Sequence, residues 1–119
     1  MNLAANALTA LVALLHLYFL VLEMFLWTKP YGRRVFRLTP EQAQATKSLA
    51  ANQGLYNGFL AAGLGWGLLA GADGYTIKEF FLSCVIIAGI FGAATANRRI
   101  LWVQAVPGAV ALWLVCAAA

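Results

Sequence analysis

The amino-acid sequence predicts an all-α integral membrane protein, a bundle of four transmembrane helices with both termini outside. Three observations predict this. First, 63% of the 119 residues are hydrophobic and only 10% are charged, where a soluble domain carries roughly a quarter charged residues. Second, the apolar residues fall into the blocks 3–27, 49–70, 80–96 and 100–119. Each is close to the roughly 20 residues that a helix needs to cross a hydrocarbon layer about 30 Å thick. Third, the basic residues are unevenly placed. The first connection holds Lys29, Arg33, Arg34, Arg37 and Lys47, the third Arg98 and Arg99, and the second only Lys78. Positively charged loops stay in the cytoplasm, so the basic loop between helices 1 and 2 is predicted to be cytoplasmic and both termini periplasmic. The location that follows is the bacterial cytoplasmic (inner) membrane. The net charge of +4 then reads as a topology signal and a contact to anionic lipid, and no nucleic-acid partner is expected. The whole of residues 1–119 forms one domain on this reading.

Helix 1 is expected over about 3–27. Its first fifteen residues contain no Lys or Arg and no small-residue cleavage site follows, so it is expected to stay in place and not to act as a cleaved signal. Thr9, His16 and Glu23 recur every seven residues, which puts them on one stripe. That stripe should face other helices, because an ionisable side chain in lipid is penalised. Trp27 and Tyr31, next to Lys29 and Arg33, read as an interfacial belt, and the helix should end before Pro30.

Helix 2 is expected over about 40–71. Thr39 can cap it, Pro40 suits the first helical position, and Gln42 completes a capping box. It carries the polar string Asn52-Gln53-Gly54-Leu55-Tyr56-Asn57-Gly58, then Gly63, Gly65, Gly67 and Gly71. Gly54/Gly58, Gly63/Gly67 and Gly67/Gly71 are small-xxx-small pairs, which allow another backbone to come close. A turn follows at 72–75, where Asp73 and Gly74 supply backbone freedom.

Helix 3 is expected over about 77–96, with Thr76 as its cap and Glu79 completing a second capping box. It should end at the polar turn Asn97-Arg98-Arg99. Helix 4 is expected over about 100–118, with Gln104 in its second turn and a bend at Pro107, whose ring removes a backbone donor.

On this topology Glu23, Asn52, Gln53 and Gln104 share one depth near the cytoplasmic boundary. Tyr56 and Asn57 lie one turn deeper and His16 reaches the midplane. The outer half is read as almost wholly apolar. A cytoplasm-facing polar pocket is therefore the leading idea, with Glu23, Asn52, Gln53, Tyr56, Asn57, His16 and Gln104 as its ligand-binding residues. One carboxylate, one imidazole, one phenol and several carboxamides can bind a polar head group or relay a proton. The sequence contains no Ser-His-Asp arrangement, paired carboxylates or phosphate loop, so no catalytic residue is assigned. Cys84 and Cys116 have no metal-ligand spacing. With a single His, no metal site is expected and no cofactor is identified.

The strings His16 to Trp27 (HLYFLVLEMFLW), Asn52 to Leu64 (NQGLYNGFLAAGL) and Gln104 to Pro107 (QAVP) resemble the bacterial family catalogued as domain of unknown function 1304. The resemblance covers nearly the whole chain. It implies a small integral membrane protein and picks out His16, Glu23, Asn52, Gln53, Tyr56, Asn57 and Gln104, without implying a reaction. In architecture the chain is also similar to the membrane-associated eicosanoid and glutathione metabolism proteins. Those are trimers with an Asn at the cytoplasmic start of helix 2, but the Arg and Glu that accompany it there are absent around Asn52.

The function expected first is binding of a polar or amphipathic, lipid-like ligand within the bilayer. Three alternatives stay open: a glutathione-transferase-like trimeric enzyme, a proton-coupled small transporter, and a structural small subunit of a membrane complex. A homo-oligomer, dimer or trimer, is expected from the glycine-lined face of helix 2.

Overall fold

The structure, a computed structural model, describes residues 2–119. Among the described residues it contains helices and turns and no strand. The helices are α1 (Leu3–Met24), α2 (Pro30–Phe36), α3 (Pro40–Ala45), α4 (Lys47–Leu69), α5 (Gly74–Thr95) and α6 (Val106–Ala118). A 3-10 turn at Gly71–Asp73 precedes α5, and a π turn at Leu101–Ala105 precedes α6. Three stretches, Leu3–Met24, Gly71–Thr95 and Leu101–Ala118, are long and apolar enough to cross a membrane. The expected second span falls short of that standard because Asn52, Gln53, Asn57 and five glycines dilute the apolar content of α4. Of the most apolar windows in these three stretches, only 28%, 22% and 28% is buried inside the chain. The remaining apolar surface is far more than a water-soluble chain normally exposes.

The chain divides into two compact units, Met1–Leu14 with Leu60–Ala119, and Leu15–Phe59. In the first unit Ala5, Val12, Leu64, Leu82, Val85, Ala111 and Val115 form the buried core. Small residues set the helix spacing. A Cβ on Gly108 would lie 3.0 Å from Val85 Cγ1, and one on Gly89 would lie 3.0 Å from Ala105 Cβ. Gly74 packs its bare Cα against the carbonyl of Gly67, where any side chain would collide. Gly71 makes the preceding turn at φ +66°, a conformation open to glycine at little cost.

That backbone contact also explains why α5 starts at Gly74, before the expected start at 77. Thr76 therefore lies inside the helix and caps nothing, and Glu79 accepts a hydrogen bond from the Cys116 thiol at 3.3 Å. The irregularity expected at Pro107 occurs one turn earlier. Val106 N–H bonds to Leu101 O, five residues back, so the missing donor of Pro107 falls where the ladder has already been widened. The polar turn after α5 forms as expected, with Asn97 Oδ1 accepting from Arg99 N–H at 2.9 Å.

In the second unit α1 ends at Met24, three residues before the expected limit. Gly32 sits directly under the Leu26 carbonyl, so α2 folds back against the end of α1. Pro30 is then the first residue of a new helix, where its lack of an N–H costs nothing. The expected capping box at α3 is present. Thr39 Oγ1 accepts from Gln42 N–H at 3.1 Å, and Gln42 Oε1 accepts from Thr39 N–H at 2.9 Å. The expected continuous helix over 40–71 is broken at Thr46. The Thr46 hydroxyl donates to Gln42 O at 2.8 Å and accepts from Trp27 Nε1 at 3.0 Å. Trp27 also stacks at 4.7 Å on Phe36, so an aromatic anchor holds the basic connection together.

The glycine face from which an oligomer was expected is filled within the chain. Gly63 lies under the Phe81 ring, and a Cβ on Gly67 would be 2.6 Å from Lys78 Cγ.

Candidate functional site

The polar string in α4 divides into parts that face different ways. Ala50, Gly54 and Asn57 lie on its buried side, spaced four and three residues apart as a helix stripe requires. A Cβ on Gly54 would lie 2.6 Å from Met24 Cγ and 3.1 Å from Glu23 Cβ, and one on Gly58 would lie 2.8 Å from Leu20 Cδ1. The two glycines therefore let α1 come close enough for Asn57 Nδ2 to donate to Glu23 Oε1 at 2.5 Å. Asn57 is 6% exposed and Glu23 is half-buried. Among the described residues no Lys or Arg pairs with Glu23, so a neutral amide is its partner. One carboxylate oxygen accepts this bond, which leaves capacity on the other.

The remaining residues named from the sequence are placed as follows. His16 is fully buried, with its ring edge-on to Phe19 at 5.4 Å. Gln53 is exposed and precedes Asn57 by one turn, so it flanks the Glu23–Asn57 pair along α4. Asn52 and Tyr56 are exposed on a different face of α4. Gln104 belongs to the first unit, where its Nε2 donates to Val85 O at 3.0 Å. Among the described residues the structure thus joins Glu23 directly to Asn57 alone, and Gln53 lies exposed one turn earlier on α4. The stripe on α1 is buried as expected at Thr9 and His16, and the Thr9 hydroxyl donates to Ala5 O at 2.8 Å.

Sequence reasoning missed a second polar cluster. Lys78, read as a loop charge, is 4% exposed. Its Nζ donates to Asn6 Oδ1 at 2.9 Å and lies 4.8 Å from the centre of the Tyr75 ring. The signal was available, since Asn6 and Lys78 each stand near the start of a predicted span, on the same predicted side. A cation is therefore buried at the start of a membrane-length apolar stretch. An apolar groove of about 330 Å³, lined by Trp66, Thr76, Ile77, Phe80 and Phe81, lies in the same unit. Among the described residues no three His, Cys, Asp or Glu side chains gather as a metal site.

A helical chain with three membrane-length apolar stretches and hydrogen-bonded polar groups inside them is a small integral membrane protein. It belongs to the family described as Protein of unknown function (DUF1304), which matches residues 10–116. The chain is similar to the uncharacterized protein YpaA of Lactococcus lactis subsp. lactis (strain IL1403). They are 29% identical over 106 residues, covering 87% of this chain and 89% of that protein. No solved structure matches the chain.

Proposed function

We propose that this protein crosses the bacterial cytoplasmic membrane four times and binds the polar head of an amphipathic, lipid-like molecule at Glu23. In this reading α4 is the remaining span, the basic segment with α2 and α3 lies in the cytoplasm, and both termini lie outside. Glu23 and Asn57 hold the head group, Gln53 stands at the rim, and His16 closes the deep end.

The supporting observation is the Glu23–Asn57 pair. Glu23 is the one acid within the first apolar stretch, and its partner is a neutral amide at 2.5 Å. An interhelical strut needs only a neutral acceptor at that position. A carboxylate adds a charge, which is costly in a bilayer unless it is used. It also keeps an oxygen for a hydroxyl or ammonium on a ligand. The buried side of the NQGLYNG string supports the same reading, since Gly54 and Gly58 bring the two helices close enough for the pair to form.

The test compares two substitutions. Glu23→Gln keeps an oxygen for Asn57 and should leave thermal stability nearly unchanged while the lipid retained on purification, read by native mass spectrometry from nanodiscs, is lost. Glu23→Leu should in addition cost about 1 kcal/mol of helix association, the usual size of an interhelical hydrogen bond. Retention of lipid by the Glu23→Gln protein would reduce Glu23 to a structural acceptor.

A further inference from the structure

We infer that the outward face of α4, formed by Leu49, Asn52, Tyr56 and Phe59, is the surface on which a second copy of this chain docks. These positions are spaced by three, four and three residues, the spacing that builds a packing seam between helices running side by side. Leu49 is 73%, Tyr56 54% and Phe59 53% exposed, and Asn52 is exposed with them. Among the described residues neither the Asn52 carboxamide nor the Tyr56 hydroxyl has a hydrogen-bond partner.

The inference rests on α4 crossing the membrane, as proposed above. Asn52 then stands about 7–8 Å and Tyr56 about 13–14 Å along the helix from Lys47, at 1.5 Å per residue. From the boundary at Asn52 inward to Tyr56 water becomes scarce, and lipid chains offer no donors or acceptors. A protein surface must then meet these groups. Of the long helices, α4 is the one too polar to qualify as a membrane stretch by itself, yet this face of it is bare. A helix of that kind needs protein around it more than its neighbours do.

A second copy fits because the face is uncharged and complementary to itself. A carboxamide both donates and accepts, so two Asn52 side chains across a two-fold axis satisfy each other reciprocally. Two Tyr56 hydroxyls can do the same. A charged partner would find no counter-charge on this face. Leu49 and Phe59 at the ends of the seam supply apolar contact on both sides of the polar pair.

Cysteine cross-linking in native membranes tests the seam, in a Cys84→Ser, Cys116→Ser background. Single substitutions Leu49→Cys, Asn52→Cys, Tyr56→Cys and Phe59→Cys should give disulfide-linked dimers on mild oxidation, while Ala51→Cys should give few. In a competent dimer, Asn52→Leu should lower the association constant about tenfold, as expected for loss of an interhelical hydrogen-bonded pair. Absence of dimers at all four positions, with those cysteines shielded from aqueous maleimide, would overturn the second copy and leave the span intact. Adducts to a protein of another mass would overturn it in favour of a different partner. Ready aqueous labelling of the Tyr56→Cys protein would instead remove the span itself, and the seam with it.

Discussion

Lys78 is the residue whose environment departs furthest from its composition. Its four-carbon stem runs across the bare surface of Gly67, and its ammonium ends on one carbonyl oxygen and the face of one ring. Both partners are neutral. Cation–π attraction strengthens where water is absent, and a hydrogen bond to a charged group is worth about 1.5–3 kcal/mol. Removing Asn6 alone strands the charge, so Asn6→Leu should destabilise by about 2 kcal/mol or more. Lys78→Met on top of that change should restore most of the loss, because the stranded donor disappears. Unfolding in mild detergent of both single variants and the double variant measures this coupling. Additive losses would mean that Lys78 escapes to solvent and that its contact with Asn6 contributes nothing.

At the scale of elements, glycine decides where helices begin and how closely they pass. The start of α5 is set by the contact between Gly74 and the Gly67 carbonyl, which overrides the Thr76 and Glu79 capping signal. Gly74→Ala drives a methyl into backbone and should cost about 1–3 kcal/mol, as overpacking does. Gly65 has nothing within 4 Å of where its Cβ would lie. There Gly65→Ala should raise stability by up to about 1 kcal/mol through helix propensity alone. Thermal unfolding of the two variants in one detergent checks the pair, and similar losses in both would show that the glycines act through flexibility. The Thr46 break works differently. A threonine that bonds back to Gln42 and accepts from Trp27 ends α3, one residue before α4 begins.

For the whole molecule, the number of spans fixes where the ends lie. Three crossings would leave the termini on opposite sides, whereas four bring them to the same side. The polar α4 is therefore the helix on which topology turns. In a background without native cysteines, Asn2→Cys and Ala119→Cys should both react with an impermeant thiol reagent from outside, and Arg34→Cys should not. Labelling of only one terminus from outside would make α4 something other than a span. Protection of both termini with labelling at Arg34 would invert the orientation, against the bias set by Lys29, Arg33, Arg34, Arg37 and Lys47.

By itself the sequence determined the class of protein, the helical content and the capping box at Thr39, and it singled out Glu23 as an acid within an apolar stretch. These follow from composition and local spacing, which act within a few residues of chain. The side to which each polar residue of α4 turns was decided only by tertiary structure. Asn52, Gln53, Tyr56 and Asn57 look equivalent in the sequence, yet Asn57 is enclosed and the other three are exposed. The same holds for Gln104, held by the Val85 carbonyl, and for Lys78, buried against Asn6. Which face of a helix is covered depends on neighbours distant along the chain, and here close approach at Gly54, Gly58, Gly67 and Gly74 selects that face. Local pattern supplied the helices, and the positions where backbones can touch decided which of their polar groups meet.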